Sequence, residues 1–133
     1  MVNLKKFKKV AILHGGISDE KKISDLTAKE VFKTLKKDYV VLKINVTENC
    51  EKLVKILLKF NPDVVFNCLH GFFGEDGQIQ SILNYLKIQY THSGVMTSSI
   101  LMNKEMSKKI FTSLGVQSPP TIALDKINKK KLT

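Results

Sequence analysis

The most informative absence from this 133-residue chain is arginine. All 22 of its basic residues are lysines, and the formal net charge is +10. Proteins that read nucleic acids usually depend on arginine for bidentate contacts to bases and phosphates. The lysines are also spread along the chain, as on the solvated faces of helices. The composition therefore makes a basic nucleic-acid-binding α/β domain the least favoured interpretation, and we expect no nucleic-acid partner.

Long apolar runs and paired cysteines are also missing. No apolar run reaches the roughly 20 residues that a membrane-spanning helix needs. The basic N-terminus precedes an apolar run that is too short for a signal peptide and ends at Gly15 and Gly16. We therefore expect a cytoplasmic protein with no membrane partner. Of the two cysteines, Cys68 falls in a predicted buried strand, which favours a free core thiol over a disulfide with Cys50.

The sequence lacks the common signatures of phosphate and metal binding. Gly15 and Gly16 are not followed by the third glycine of a dinucleotide-binding fingerprint, and there is no Walker lysine motif. No group of His, Cys, Asp and Glu has the spacing of metal ligands. The sequence therefore predicts no zinc and no other metal site.

Apolar strand-like runs alternate with segments of helical periodicity along the whole chain. The pattern predicts strands at about 8–13, 39–46, 63–69, 88–91 and 121–124, and helices at about 24–37, 53–60, 77–86, 96–103 and 104–114, the first of them capped by Ser24. Such alternation is typical of an α/β three-layer Rossmann-like sandwich with a mostly parallel sheet. We predict the strand order 3-2-1-4, which places the loop after the first strand beside the loop after the fourth.

Two loops that follow predicted buried strands carry most of the polar residues of interest. The first is 14–20 (His-Gly-Gly-Ile-Ser-Asp-Glu), and the second is 67–77 (Asn-Cys-Leu-His-Gly-Phe-Phe-Gly-Glu-Asp-Gly). Ligands of open α/β sheets bind at the carboxyl ends of the strands, where both loops begin. We therefore expect the two loops to form one shared site.

Several residues in and near these loops have two interpretations on sequence grounds alone. Glu20 lies in a loop where no capping role is needed, and its carboxylate suits an ammonium group. His70 could act near neutral pH or be a structural histidine. Glu75 and Asp76 suit a helix N-terminus whatever the function, and Lys104 is most simply a surface lysine.

Four segments, in order and in spacing, resemble the motifs of the D-alanine–D-alanine ligases. They are 13–24 (Leu-His-Gly-Gly-Ile-Ser-Asp-Glu-Lys-Lys-Ile-Ser), 69–77 with the complete pattern His-Gly-x-x-Gly-Glu-Asp-Gly, 90–95 (Tyr-Thr-His-Ser-Gly-Val) and 102–104 (Met-Asn-Lys). The resemblance covers about residues 8–124. The family's pattern differs at three positions, because His14 replaces an aliphatic or aromatic residue, His92 a glycine and Asn103 an acid.

The resemblance implies an enzyme in which ATP phosphorylates one D-alanine and the amine of a second attacks the acyl phosphate. The product is D-alanyl-D-alanine for peptidoglycan. By resemblance, Glu20 holds the ammonium of the first D-alanine and His70 lies beside its carboxylate, so both are catalytic and substrate-binding residues. Ile23 lines the same pocket, and Lys104 contacts ATP.

The resemblance also implies a domain organisation. Residues 1–124 correspond to the N-terminal substrate-binding domain, and 125–133 to a lysine-rich tail or the start of a linker. The family's ATP-grasp domains, with their magnesium carboxylates and catalytic arginine, do not follow. We therefore expect this part alone to be inactive and to bind neither ATP nor Mg²⁺. A non-catalytic remnant or dimerising module is the alternative.

The resemblance further implies that the protein forms dimers through this domain. We therefore predict a homodimer. The apolar surface around Phe72, Phe73 and Tyr85 is the expected contact.

Overall fold

A computed structural model describes residues 7–120 of the chain. The elements are β1 (Lys9–Gly15), α1 (Lys21–Leu35), β2 (Val40–Val46), α2 (Cys50–Phe60), β3 (Val64–Asn67), α3 (Gln78–Tyr85), β4 (Gln89–Tyr90), α4 (Val95–Met102) and α5 (Lys104–Ser113). The expected strand at 121–124 and the expected tail at 125–133 lie outside the described residues. Within 7–120, no helix is long and apolar enough to cross a membrane.

The four strands form one parallel sheet, which confirms the predicted fold class, but the predicted strand order is wrong. The order is β2-β1-β3-β4, with β1 between β2 and β3. The edge position of β2 suits its exposed Lys43 and Asn45, which alternate with the buried Ile44 and Val46. The apolar run of β3 instead belongs inside the sheet, next to β1.

The sheet is covered on both faces, as the three-layer prediction requires. Successive residues of β1 point to opposite faces: Ala11 and Leu13 join a core cluster with α2 and α3, whereas Ile12 packs with Ala28 of α1. The larger cluster contains Ala11, Leu13, Ile44, Val46, Leu53, Leu57, Val65, Leu69, Ile79 and Leu83. The helix after β1 and the helix after β2 therefore lie on opposite faces of the sheet.

This arrangement creates a crevice between the carboxyl ends of β1 and β3. The chain leaves β1 toward β2 on one side, whereas β3 lies on the other side. A crevice of this kind, where the connections diverge, is the usual ligand-binding position of an open α/β sheet. The correction in strand order therefore places the loop after β1 beside the loop after β3, and not beside the loop after β4.

The first helix begins four residues earlier than the sequence indicated. Glu20, not Ser24, is at the N-cap position of α1, and its side chain makes no capping hydrogen bond. Ser24 lies in the first turns of the helix and is fully buried. The predicted cap was wrong because the polar segment before Ser24 already has helical backbone, with Ile23 N and Ser24 N both donating to Glu20 O.

Both cysteines are free thiols, as predicted. Cys50 is exposed at the start of α2, and Cys68 is buried after β3. Burial raises the pKa of the Cys68 thiol to about 11. Cys68 therefore stays protonated near neutral pH and acts as a small apolar residue of the core.

Candidate functional site

A hydrogen bond joins the two loops at the crevice. Ser18 Oγ donates to His70 O at 2.7 Å, and the same hydroxyl oxygen accepts from Glu20 N at 3.3 Å. Gly71, at φ +67°, makes this approach possible, since a Cβ there would lie 3.3 Å from Ser18 Cβ and 3.7 Å from Glu20 Oε2. The serine therefore fixes the position of Glu20 relative to the loop that carries His70.

Glu20, His70 and Glu75 converge at the mouth of the crevice. One donor atom from each lies within 4.8 Å of the other two. Glu20 is exposed, whereas His70 and Glu75 are partly buried. Among residues 7–120, the Glu20 carboxylate has no ion pair. The structure thus brings together the two main candidates from the sequence and adds Glu75 to them.

The His70 ring is oriented by groups on both of its nitrogens. Thr27 Oγ1 donates to Ile23 O at 3.0 Å, so its lone pair faces His70 Nε2 at 3.4 Å. A proton on Nε2 satisfies this geometry, and Nδ1 then carries the lone pair. Glu75 Oε1 lies 4.0 Å from His70 Nδ1. The ring therefore presents Nδ1 to the crevice.

Asp76 stabilises the loop after β3 through hydrogen bonds and does not belong to the Glu20–His70–Glu75 cluster. Its carboxylate accepts from Phe73 N at 2.9 Å, Gln78 N at 3.1 Å and Gln78 Nε2 at 2.8 Å. Phe73 needs this support, because its φ of +69° is uncommon for an aromatic residue. Although burial acts to raise the pKa of the Asp76 carboxyl, these donors hold it below its ordinary value.

We expect Asp76→Asn to lower the free energy of unfolding at pH 7 by about 1–2 kcal/mol, because it removes the charge from several hydrogen bonds. The lowered pKa means that the stabilisation is present above the unfolded-state pKa and is lost as the pH falls through the folded-state value. The difference in the free energy of unfolding between wild type and variant should therefore shrink below about pH 4. Urea unfolding at pH 7 and pH 3 measures this difference. Asp38→Asn, at an exposed carboxyl, is the matched control, and equal effects of the two variants at pH 7 would contradict the assigned role.

A pocket of about 230 Å³ adjoins the crevice. Its lining comprises Glu75, His92, Ser93, Ser98, Leu101, Met102 and Lys104. Lys104 is exposed at the start of α5, and its Nζ lies 3.5 Å from Leu101 O. Lys104 does not belong to the Glu20–His70–Glu75 cluster, but it shares this pocket with Glu75.

His92 contributes a partly buried imidazole to the same pocket. Its Nδ1 is buried and has no hydrogen-bond partner among the described residues. Burial lowers the pKa of His92; the charge of Glu75 opposes this shift, and that of His70 adds to it. His92 is not among the residues with positive φ, so the position does not require the glycine of the family pattern.

We expect NMR titration of the imidazole to give a His92 pKa below 6.5, the ordinary value. Glu75→Gln should lower this pKa further by removing the charge that favours protonation, whereas Glu51→Gln, in a surface pair with Lys55, should leave it unchanged. Because the folded-state pKa is lowered, the unfolded state binds the proton more tightly and stability falls as the pH drops below about 6.5. His92→Gln should reduce that loss. A His92 pKa above 6.5 would contradict the described burial.

The other two departures from the family pattern have clear structural roles. His14 Nδ1 pairs with Asp25 Oδ1 at 2.7 Å, which connects the end of β1 to α1. Asn103 is the N-cap of α5, and its Oδ1 accepts from Met106 N at 3.0 Å. Asparagine and aspartate serve equally well as N-caps, so Asn103 retains the role that an acid would fill there.

Ile23, the remaining candidate from the sequence, lies in the first turn of α1, next to Glu20. Its side chain is 55% exposed, and its carbonyl accepts the hydroxyl proton of Thr27. Sequence reasoning missed the contributions of Ser18 and Thr27 to the site and left the role of Glu75 open. The conspicuous position of Ser18 between Gly16 and Glu20 was the available signal, whereas Thr27 offered none because it reads as an ordinary helix residue.

Comparisons with known proteins show which proteins this chain is similar to. A family model described as "D-ala D-ala ligase N-terminus" matches residues 51–93. The D-alanine–D-alanine ligase of Pelagibacter ubique is 53% identical over 125 residues, which are 93% of this chain and 39% of that protein. That of Wolbachia sp. subsp. Brugia malayi is 53% identical over 112 residues, or 83% of this chain and 32% of that protein.

A solved structure gives the same result. The crystal structure of D-alanine–D-alanine ligase from Bacillus anthracis aligns with a TM-score of 0.79 and 33% identity, and the alignment covers 94% of this chain and 41% of that chain. A structure of the Bacillus anthracis ligase complexed with ATP aligns with a TM-score of 0.75 and 31% identity over 96% of this chain. The chain thus spans about a third to two fifths of the length of the relatives it matches.

The parallel sheet and its crevice first define the class: an α/β domain with an open crevice between the carboxyl ends of β1 and β3. The comparisons then specify the similarity. Over most of its own length, the chain matches the N-terminal region of D-alanine–D-alanine ligases.

Proposed function

We propose that this chain is the D-alanine-binding N-terminal domain of an ATP-dependent D-alanine–D-alanine ligase. One observation carries the proposal: Glu20 and His70, from separate loops, converge within 4.8 Å in a chain that matches the N-terminal regions of these ligases. The complete enzyme joins two D-alanines into D-alanyl-D-alanine for peptidoglycan. Because ATP is the phosphoryl donor, we propose that the reaction takes place in the cytoplasm.

Glu20 binds the ammonium group of the first D-alanine. Its carboxylate is exposed at the crevice, and no ion pair among residues 7–120 competes for it. The bond between Ser18 Oγ and Glu20 N fixes its backbone. A charge-assisted hydrogen bond to an ammonium is stronger than a neutral one, so Glu20 provides much of the affinity and selects an amine.

His70 orients the carboxylate of the same D-alanine. Its ring is held by Thr27, and its carbonyl is held by Ser18. With Nε2–H committed to Thr27, protonation at Nδ1 turns that nitrogen into a donor for an anionic oxygen. Fixed orientation of the reacting carboxylate is a large part of the catalytic contribution that a binding domain can make. Ile23 supplies an exposed apolar side chain one turn from Glu20 for the substrate's methyl group.

Lys104 is the proposed contact of this domain to ATP. It lines the pocket next to Glu75 and is exposed, so its ammonium is available to phosphate oxygens. ATP supplies the phosphoryl group that activates the first carboxylate, and the amine of the second D-alanine then displaces phosphate. The Glu20–His70–Glu75 donors do not fit Mg²⁺, which prefers oxygen ligands only. We assign magnesium and most of the nucleotide site to the ATP-grasp domains of the complete enzyme.

We also propose that the domain forms a homodimer. Tyr85 is 87% exposed and Phe72 is 55% exposed, whereas Phe73 packs partly against the core and offers less surface than the sequence suggested. An apolar pocket of about 320 Å³, lined by Val54, Ser81, Ile82, Tyr85 and Leu86, lies between α2 and α3. Exposed apolar surface of this kind favours association with a second copy.

We expect Tyr85→Lys to weaken the dimer by about tenfold or more, because loss of an aromatic anchor at an interface typically costs about 2 kcal/mol. Sedimentation velocity over a concentration series measures this change. Met96→Lys, at another apolar side chain that is 75% exposed, is the control and should leave association unchanged. A wild-type chain that stays monomeric at high concentration would exclude the dimer.

The ligase proposal is tested by genetic complementation with a chimera. In the chimera, this chain replaces the matching region of the Pelagibacter ubique ligase, to which it is 53% identical over 125 residues. We expect the chimera to support growth of a bacterial strain that lacks its own ligase and otherwise needs supplied D-alanyl-D-alanine. A chimera that accumulates as folded protein but does not support growth would overturn the proposal.

A further inference from the structure

The cluster of Glu20, His70 and Glu75 has the composition and the spacing of a transition-metal site. One imidazole nitrogen and two carboxylate oxygens all lie within 4.8 Å of one another. Zinc, as found in protein sites, accepts both kinds of ligand, at about 2.0–2.2 Å. The residues come from positions 20, 70 and 75, and this spacing resembles no metal-binding motif, which explains why the sequence predicted no metal.

The distance between His70 and Glu75 fits two ligands of one ion better than a hydrogen bond. Nδ1 and Oε1 are 4.0 Å apart, which is too long for a hydrogen bond. Two ligands of one tetrahedral ion, each about 2.1 Å from it, lie roughly 3.4 Å apart. A shift of roughly 0.6 Å, within the reach of a partly exposed glutamate side chain, would therefore bring both atoms into coordination.

The groups around the donors also match those of metal sites. Metal-binding histidines usually donate their second ring N–H to a neighbour, which fixes the tautomer. Here Thr27 Oγ1 faces His70 Nε2 at 3.4 Å, which leaves the Nδ1 lone pair free for a metal. Glu75 Oε2 accepts from Gly71 N at 2.7 Å, so that only Oε1 faces the histidine. Two of the three ligands are thus held by hydrogen bonds to their other atoms.

We propose that Glu20, His70 and Glu75 bind one divalent transition-metal ion of the Zn²⁺ type. Three protein ligands leave a coordination position open for water or for a small ligand. The ion would occupy the place that the proposed function gives to the ammonium of D-alanine, so zinc would inhibit the complete enzyme by competition. Only this last consequence depends on the proposed function, since metal binding itself needs just the three donors.

Zinc binding is measured by titrating the chain against a chromophoric chelator, in a Cys50→Ser background that removes the exposed thiol. We expect one site per chain, and a loss of affinity of about tenfold or more for each of Glu20→Gln, His70→Ala and Glu75→Gln. His14→Asn, which alters the other His–carboxylate pair, is the matched control and should leave the affinity unchanged. Millimolar Mg²⁺ should not compete.

Two further measurements keep the test independent of variants that fold poorly. In the wild-type chain, NMR should show that zinc shifts the imidazole resonances of His70 more than those of His14 or His92. Co²⁺ in place of zinc should give weak visible bands without thiolate charge transfer. Absence of binding at millimolar zinc, an affinity unaffected by the three variants, or shifts centred on His14 or His92 would each overturn the site.

Zinc inhibition of the chimera separates this inference from the ligase proposal. If zinc inhibits the chimera by competing with D-alanine, both the metal site and the ligase proposal are supported. Zinc binding to the chain together with an inactive chimera would sustain the metal site and overturn the proposed function, and an active chimera with no zinc binding would do the reverse.

Discussion

Glu20→Gln is expected to weaken binding of the first D-alanine by about ten- to hundredfold in a complete enzyme that carries this domain. The substitution keeps the shape of the side chain but removes the charge that pairs with the ammonium, and a hydrogen bond to a charged group contributes about 1.5–3 kcal/mol. The effect should appear in the KM for D-alanine of the chimera with the Pelagibacter ubique ligase. In the isolated chain, Glu20→Gln should leave the free energy of unfolding nearly unchanged, because this side chain is exposed and has no ion pair among residues 7–120.

Two comparisons sharpen this prediction. Glu30→Gln, also on α1 but in a surface pair with Lys33, is the matched control and should leave KM unchanged. His70→Ala should lower kcat as well, because it removes the ring that positions the carboxylate for phosphorylation. If Glu20→Gln leaves KM at the value of Glu30→Gln, or if it unfolds the isolated chain, Glu20 is not the ammonium ligand.

Gly77→Ala is expected to destabilise the chain by about 3 kcal/mol or more. Gly77 caps α3 at φ +98°, a conformation that costs an alanine about 1–3 kcal/mol. An added Cβ would also lie 2.9 Å from Val95 O and closer still to Ser99 Oγ, and such overpacking costs about 1–3 kcal/mol more. The backbone carbonyl belongs to the first turn of α4 and cannot rotate away as a side chain could.

The matched control for this substitution is Gly94→Ala. Gly94 has φ −67° and ψ 172°, which an alanine adopts without strain, and a Cβ there would meet nothing within 4 Å. Gly94 is also the N-cap of α4, where alanine is less favourable than glycine, and this cost opposes the gain of up to about 1 kcal/mol through the unfolded state. Gly94→Ala should therefore change the free energy of unfolding by no more than about 1 kcal/mol. Urea unfolding of the two variants gives the comparison. Similar stability for both would mean that α3 and α4 do not pack closely at Gly77.

The fold class could be predicted from sequence because it depends on local periodicity, whereas the strand order depends on which strands pair across the chain. The apolar run of β3 and the alternation of Ile44 and Val46 with polar residues in β2 did contain a usable signal. A strand that is polar on alternate positions suits an edge, and one that is apolar on both faces suits the interior. By this criterion, the sequence would have favoured β2 at the edge of the sheet and β3 in its interior, beside β1.

The candidate site could be predicted only as far as its motifs extend. The two loops and the residues Glu20 and His70 followed from the positions of polar residues after buried strands. Glu75 could not be separated from Asp76, because both acids suit a helix N-terminus. Only the three-dimensional contacts distinguish them: Asp76 bonds to Phe73 and Gln78 beneath the loop, whereas Glu75 turns one oxygen toward His70.

The most direct test of the ligase assignment is the rate at which the purified chimera forms D-alanyl-D-alanine from D-alanine and ATP. A chimera that carries both Glu20→Gln and His70→Ala gives the background rate. We expect product formation well above that background, saturating with D-alanine, and dependent on ATP. A folded wild-type chimera that forms product no faster than the double variant would contradict the account.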